Sequence, residues 1–317
     1  MKNVLITGGC GYKGSVLVPK LLKQNYKVRV IDLMWFENSL ESHQNLIVIK
    51  KDIRNITEKD LEGIDQIVHL ASVANDPCSD LNPKASWEVN VLGTLILLNA
   101  AVKSRIKRII FASSSSVYGI KKNRNVTENL DLNPITDYNK TKMIAERILL
   151  SFKDLIDVTI VRPATVCGLS SRMRFDVSVN MLTIQALRNK LITVYGGQQT
   201  RPNIHIDDIT ELYFFLLEKP NVLGIYNAGF ENLSINSIAN SIVKKIKNTK
   251  IEKTFTNDKR SYHISSQKLL KIGFQPKKNI NNAIDEITNY FNTKGIIESD
   301  INHNVKWLKK NDTLGFL

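Results

Sequence analysis

Three evenly spaced glycines follow the first apolar run of the chain and open its first helical segment. Gly8, Gly11 and Gly14 come directly after residues 4–7, which read as a buried strand. Glycine is needed where a strand turns sharply, where backbone approaches a diphosphate and where helix packs on sheet. The helix N-terminus then offers free N–H groups to phosphate. This pattern predicts a dinucleotide site with Gly8, Gly11, Tyr12 and Gly14 as cofactor contacts.

An acidic residue at the end of the second predicted strand indicates which dinucleotide binds. Asp32 follows Gly14 by 18 residues, close to the spacing at which such sequences place a carboxylate for the adenosine ribose. A carboxylate accepts hydrogen bonds from ribose hydroxyls and repels a 2′-phosphate. Leu33, Met34 and Trp35 come next, without an arginine to hold that phosphate. We therefore predict NAD rather than NADP.

The first half of the chain alternates short apolar runs with helix-like segments. The predicted strands are residues 4–7, 27–31, 46–50, 66–70, 108–112 and 158–162. The predicted helices are residues 15–23, 83–104 and 138–152. Most of the strands are rich in valine and isoleucine, as expected of strands covered on both faces. The alternation predicts an α/β fold with a doubly wound parallel sheet of the Rossmann type.

The pattern changes after the sixth predicted strand. Helix-like segments at 178–188, 208–218 and 235–247 are separated by short strand candidates at 192–195 and 224–228. The simplest division is an NAD-binding Rossmann domain over residues 1–166 and a smaller α/β substrate domain over 167–317. We expect some C-terminal strands to return to the main sheet.

One predicted helix places a lysine on its buried face. Tyr138, Lys142, Ala145, Leu149 and Phe152 recur at helical spacing, so they share one side. A buried ammonium is costly unless it has a function. One turn from Tyr138, it could lower the phenol pKa from about 10. These residues predict a general base.

Four consecutive serines follow the fifth predicted strand. Residues 113–116 stand at the carboxyl end of a parallel strand, where ligands bind in doubly wound sheets. One of these hydroxyls could share the transferred proton with Tyr138. A serine run alone is more often a plain loop, so its functional reading depends on the glycine turn and the Tyr138–Lys142 pair.

Composition excludes several other classes. The net charge of +14 comes from scattered lysine pairs rather than one dense tract, so we expect a solvated basic surface and no nucleic-acid partner. Cys10, Cys78 and Cys167 are an odd set at wide spacing, which predicts neither disulfides nor a metal site. No run of about 18 apolar residues occurs, and the N-terminus lacks the pattern of a signal peptide. We expect a cytoplasmic protein without a membrane span.

These motifs together resemble the extended short-chain dehydrogenase/reductase superfamily. Within it, the chain is similar to the nucleotide-sugar epimerase/dehydratase family typified by UDP-galactose 4-epimerase. The resemblance covers nearly the whole chain. Besides the glycine turn, it rests on Asp52-Ile53, His69-Leu70-Ala71, Asn90, the serine run, Tyr138 to Lys142, Arg162-Pro163, residues 201–208, Arg260-Ser261-Tyr262 and Gly273-Phe274.

The resemblance implies roles for residues that stand at the family's motif positions. It implies Ser114 as the catalytic hydroxyl, Tyr138 as the base and Lys142 as the residue that binds the nicotinamide ribose. Further implied cofactor contacts are Asp52 and Ile53 at the adenine, Leu70, Ala71, and Pro163 and Thr165 near the nicotinamide. Implied contacts to the diphosphate of a nucleoside-diphosphate sugar are Asn180, Arg201 and Arg260. A surface salt bridge is the alternative for each arginine, and a helix cap for Asn180.

The residues after Ser114 bear on the reaction. Family members that are 4,6-dehydratases carry Asp-Glu there, whereas this chain has Ser115 and Ser116, and the glutamate usual in the decarboxylases is also absent. We therefore predict an NAD-dependent epimerase that oxidises its sugar transiently at C4. Thr165 stands where the 4-epimerase pattern has asparagine, so the sugar need not be galactose.

Several alternatives stay open. The chain could be a reductase or dehydratase of the same family, or a non-catalytic dinucleotide sensor, although sensors typically lack the tyrosine or the lysine. Lys13 stands where an aliphatic residue is common, and it could reach a phosphate or point to solvent. By resemblance we expect a homodimer that packs the helices around 84–103 and 138–152, and a role in surface polysaccharide synthesis.

Overall fold

Seven parallel strands form the central sheet. The computed structural model describes residues 2–121, 125–256, 261–295 and 299–311. The strands of this sheet are β1 (Asn3–Thr7), β2 (Lys27–Asp32), β3 (Leu46–Lys50), β4 (Gln66–His69), β5 (Arg108–Ala112), β6 (Asp157–Pro163) and β10 (Gly224–Ala228). Their order is β3-β2-β1-β4-β5-β6-β10. This is the doubly wound arrangement that the sequence predicts, so the expected fold class is confirmed, and β10 comes from the C-terminal part of the chain.

Helices cover both faces of the sheet. They are α1 (Gly14–Lys23), α2 (Asp76–Leu81), α3 (Pro83–Trp87), α4 (Gly93–Lys103), α5 (Asp137–Ser151), α6 (Ser178–Asn189), α7 (Ile206–Glu218), α8 (Ile235–Lys245), α9 (Gln267–Lys271), α10 (Ile280–Lys294) and α11 (Asn304–Lys310). On one face α1 and α7 pack on the sheet through Leu17, Leu21 and Leu212. On the other, α4 and α5 pack through Leu97 and Leu149. The sheet therefore lies between two apolar cores.

The long helix predicted over 83–104 is interrupted. A π-helical turn at Glu88–Leu92 separates α3 from α4, and Asn90 lies inside it. The Asn90 amide forms hydrogen bonds with the Val73 backbone and the Thr141 hydroxyl. These bonds tie the helix to the loop after β4 and to α5. By length and composition this is the one helix in the described ranges that could cross a membrane, and 56% of its apolar window is buried inside the protein.

The C-terminal part builds a smaller α/β layer beside the sheet. Its remaining strands are β7 (Thr165–Cys167), β8 (Leu191–Tyr195), β9 (Thr200–His205), β11 (Glu231–Ser234) and β12 (Lys250–Thr254). They form a three-stranded sheet, β11-β9-β7, and a β12-β8 pair. Helices α6, α8 and α10 close a separate core over them. The cleft lies where this layer meets the carboxyl ends of the main strands.

The last described helix, α11, packs against β2 and the residues that follow it. Leu308 in α11 is buried in the same core as Ile31, and the Trp307 indole donates to the Trp35 carbonyl. Asn304 accepts a hydrogen bond of 2.6 Å from Arg172. The segment therefore joins the strand that carries Asp32 to the loop after β7.

Candidate active site

The glycine turn packs against the end of β4 with no room for side chains. Gly8 has a φ of +71°, and a Cβ there would lie 2.6 Å from the Ala71 nitrogen. A Cβ on Gly14 would lie 2.4 Å from the Gly9 carbonyl oxygen. Both contacts are with backbone, so no side chain could move aside. The turn thus leaves an open cradle at the start of α1, as a diphosphate requires.

Asp32 ends β2 beside this turn. Its carboxylate accepts hydrogen bonds from the backbone N–H of Cys10 at 2.9 Å and of Met34 at 2.7 Å. Burial raises the pKa of the Asp32 carboxyl, while the two donors act against that shift. The side chain lines a cleft of about 500 Å³, where ribose hydroxyls could replace lost hydration.

Ser114 and Tyr138 meet in the middle of the cleft. Ser114 caps the short helix Ser115–Tyr118 after β5, and its Oγ lies 2.7 Å from the Ser116 Oγ. Tyr138 lies in the first turn of α5, which Thr136 caps. Burial raises the pKa of Tyr138 to about 12 and the Asp76 carboxylate adds to the rise, whereas a hydrogen bond with Ser114 lowers it. The fold thus brings together the two hydroxyls that the sequence pairs.

Lys142 points inward, as its position on the helix predicts. The side chain is 3% exposed, and its Nζ donates a 2.9 Å hydrogen bond to the Ala112 carbonyl and lies 4.9 Å from the centre of the Phe111 ring. Burial lowers the pKa of Lys142 to about 7, the Lys13 ammonium adds to that fall, and Glu146 opposes it. Lys142 is therefore held at the end of β5 by one carbonyl and one aromatic ring.

The expected lowering of the Tyr138 pKa is wrong for the groups of the protein itself. Burial and Asp76 raise that pKa, and both effects oppose the ammonium on which the sequence argument relied. Lys142 is itself driven towards its neutral form by desolvation. A charged Lys142 would favour the phenolate form of Tyr138 against these two effects.

A buried ion pair joins α5 to the central sheet. Arg162 in β6 contacts Glu146 in α5 at 2.6 Å, with side chains 3% and 1% exposed. Ser113 also donates to Glu146, and Arg162 donates to the Tyr118 hydroxyl at 2.7 Å. Tyr118 in turn donates to Asn227 in β10 at 2.8 Å. This network ties α5 to three strands of the sheet and was not predicted, because it joins residues far apart in the chain.

The remaining predicted cofactor contacts divide into two groups. The residues that line the cleft with the glycine turn are Tyr12, Ile53, Leu70, Ala71, Pro163 and Thr165. Asp52 instead pairs with Arg54 at 2.7 Å and caps the short helix Ile53–Asn55. The Arg54 guanidinium is thus among the causes that hold the Asp52 pKa below its usual value. Ile53 therefore lines the cleft, as a contact to the cofactor requires, while the Asp52 carboxylate already has a partner.

The three predicted diphosphate contacts have different fates. Arg201 in β9 lines the cleft. Asn180 is fully buried, and its amide donates to Tyr12 at 3.0 Å and accepts from the Gly168 N–H at 3.0 Å. The arrangement therefore gives no support to the predicted substrate contact of Asn180, because its amide anchors the loop after β7. Arg260 lies outside the described residues.

Further charged side chains line the same cleft and were not predicted as site residues. Arg174 forms a two-pronged pair with Asp176 at 2.9 and 3.1 Å. Arg172 is stacked 3.8 Å from the Phe36 ring centre and is 6% exposed. Asp76 accepts a 2.6 Å hydrogen bond from Thr136. The two arginines and Asp176 lie on the loop after β7 and Asp76 begins the short helix α2, so no periodicity marks them.

Comparison with known proteins identifies the family. Residues 4–229 match the NAD dependent epimerase/dehydratase family. The chain belongs to this family. Its cofactor is NAD, and the glycine cradle with Asp32 at its side fits that cofactor. This protein is therefore an enzyme of the NAD-dependent nucleotide-sugar epimerase/dehydratase family.

Individual relatives extend the match. An uncharacterized protein of Sinorhizobium fredii is 35% identical over 72% of this chain, which spans 56% of that protein's length. An uncharacterized UDP-glucose epimerase of Bacillus subtilis is 31% identical over 80% of this chain and 85% of its own. The structure of UDP-glucuronic acid 4-epimerase from Bacillus cereus superposes with a TM-score of 0.82 at 29% identity, covering 92% and 99% of the two chains. Other relatives are named as decarboxylases or dehydratases.

Proposed function

We propose that this enzyme is an NAD-dependent epimerase of a nucleoside-diphosphate sugar that oxidises the sugar transiently at C4. The observation that carries the proposal is that the fold brings Tyr138 and Ser114 into the lining of one cleft, with Lys142 one turn beyond Tyr138. This pair can hold and move the proton of one sugar hydroxyl. Arg201 supports the proposal because its guanidinium lines the same cleft and suits a diphosphate.

The residues of the chain divide the proton chemistry between them. Tyr138 takes the proton of the C4 hydroxyl, and the Ser114 hydroxyl donates to the oxygen that becomes the ketone. When bound, NAD supplies the hydride acceptor and, in its oxidised form, a positive ring charge that favours an ionised phenol. Tyr138 returns the proton to the same oxygen after the 4-keto sugar has turned over, and return of the hydride to the other face of C4 would leave the opposite configuration.

Two serines argue against elimination at this site. Ser115 is buried and its Oγ lies 3.3 Å from the Tyr262 hydroxyl, while Ser116 pairs with Ser114. Neither can replace the acid and base that a 4,6-dehydratase carries directly after its catalytic hydroxyl. Asp76 favours dehydration as a second candidate, since its carboxylate lines the cleft and acts on the pKa of Tyr138.

The test is conversion of nucleotide sugars by the purified enzyme in heavy water, followed by NMR of the sugar ring without added reductant. The panel starts with UDP-glucose and UDP-glucuronic acid, which the names of two relatives suggest. Inversion at C4 without net NADH supports the proposal. Formation of a 6-deoxy-4-keto sugar would support the dehydratase, and steady consumption of NADH would support a reductase.

We also propose that the enzyme is a homodimer assembled through α4 and α5. Large apolar side chains are exposed next to these helices in the chain: Leu92 (46%) and Trp87 (37%) precede α4, and Leu155 (65%) follows α5. Burial of such side chains between two copies is the usual source of dimer stability. A cytoplasmic location and a role in polysaccharide synthesis stay predictions from the sequence.

Leu92→Glu should dissociate the dimer. The new carboxylate would lose its hydration inside an apolar interface, so sedimentation velocity should show a monomer at concentrations where the wild type is dimeric. Leu223→Glu is the matched control, because Leu223 is 42% exposed and directly precedes the edge strand β10 rather than α4 or α5. An unchanged sedimentation coefficient for Leu92→Glu would place the interface elsewhere.

A further inference from the structure

Lys13 stands on the glycine turn at the N-cap of α1. Its side chain lines the cleft, and its Nζ lies 6.0 Å from the centre of the fully buried Tyr213 ring. We propose that Lys13 is a cofactor-binding residue whose ammonium pairs with the diphosphate of the bound dinucleotide. The proposal rests on NAD binding and not on the epimerase reaction.

The charge of Lys13 has no counter-charge among the residues that the structure describes. Its ammonium makes no ion pair or side-chain hydrogen bond there, apart from its approach to the Tyr213 ring. Burial lowers the pKa of Lys13 to about 8, and the nearby Arg174 guanidinium lowers it further. Lys13 in turn lowers the pKa of Lys142. Lys13 thus lies close to Arg174 and Lys142, and an anion bound at Lys13 would offset the repulsion between these groups.

The other cations of the cleft already have partners. Arg174 is paired with Asp176, and Lys142 donates to Ala112. Arg172 is stacked on Phe36 and bonded to Asn304. Among these cations, Lys13 is the one for which the described residues supply neither an ion pair nor a hydrogen bond.

Position on the chain favours the dinucleotide over the sugar nucleotide as that ligand. Lys13 lies in the glycine turn, between Gly11 and Gly14, and is the residue directly before α1. A phosphate bound at the N–H groups of the first turn would lie beside the residue that carries this ammonium, so their effects on the phosphate would add. Arg201, which suits the diphosphate of the sugar nucleotide, comes from β9 in the C-terminal layer.

The test measures dissociation constants by calorimetry on protein freed of bound nucleotide. The ligands are NAD, ADP-ribose, adenosine and UDP, and the variants are Lys13→Met, Lys13→Arg and, as a matched control, Lys23→Met at the exposed far end of α1. We expect Lys13→Met to bind NAD and ADP-ribose about 10- to 50-fold more weakly and with a smaller salt dependence. Adenosine and UDP should bind as to the wild type. Lys13→Arg should restore most of the loss, and Lys23→Met should change nothing.

Two results would overturn the proposal. If Lys13→Met keeps wild-type affinity for NAD and ADP-ribose, the ammonium does not contact the cofactor. If only UDP binding weakens, the ammonium serves the substrate instead. Both readouts are free of turnover, so they stand apart from failure of the proposed reaction. Circular dichroism and the melting temperature show whether each variant is folded, and Lys13→Gln replaces Lys13→Met if that variant is not.

Discussion

Tyr138→Phe should reduce turnover about a hundredfold to ten-thousandfold while leaving NAD binding intact. The substitution removes one hydroxyl and keeps the ring that fills the buried space in the first turn of α5. Without that hydroxyl the cleft loses the phenol that would take the C4 proton beside Ser114. Initial rates by NMR and NAD content of the purified protein measure the two effects.

Tyr195→Phe is the matched control, because Tyr195 is 53% exposed at the end of β8 and should keep wild-type rates. A Tyr138→Phe enzyme with more than about a tenth of the wild-type turnover would show that another group takes the proton. Asp76 would then be the first residue to substitute, since its carboxylate lies near enough to act on Tyr138.

Glu146→Ala should cost about 3–5 kcal/mol of unfolding free energy. Both members of the Arg162–Glu146 pair are almost completely buried, so the substitution leaves the Arg162 guanidinium without its counter-charge in the core. It also leaves the Ser113 hydroxyl without its acceptor. Urea unfolding at pH 7 measures the loss, and an unchanged m-value shows that the same transition is being compared.

Lys245→Ala is the control for this prediction. Lys245 and Asp285 form an ion pair at 2.5 Å with side chains 29% and 51% exposed, and such surface pairs contribute at most about 1 kcal/mol. The double variant Glu146→Leu/Arg162→Met should lose less than the sum of its single variants, because neither charge is then left alone. Equal costs for the buried and the exposed pair would contradict the account of this network.

The fold was predictable because its signals are local. Valine and isoleucine runs mark the strands, and the glycine turn with Asp32 marks the first strand, helix and second strand. Lys142 could be placed inside the protein because helical spacing puts its side chain on the same side of the helix as Leu149. Such arguments use only neighbours along the chain, so they do not depend on how distant segments meet.

The parts that sequence could not predict depend on distant contacts. Asn180 matches a substrate position by motif, yet its amide donates a hydrogen bond to Tyr12, which lies 168 residues earlier in the chain. The pKa of Tyr138 follows burial and Asp76, which no helical spacing reveals. Lys13 could not be oriented from its position alone, because its surroundings come from α7 and from the loop after β7.

The most direct test of the central claim is the fate of deuterium placed at C4 of the substrate that the enzyme converts. Transient oxidation at C4, with Tyr138 handling only the hydroxyl proton, predicts a product of inverted configuration that keeps its deuterium at C4 and takes up none from solvent. Mass spectrometry and NMR of the product read this directly. Loss of the C4 deuterium to water would contradict C4 oxidation as the route. Inversion at a carbon other than C4 would contradict it as well.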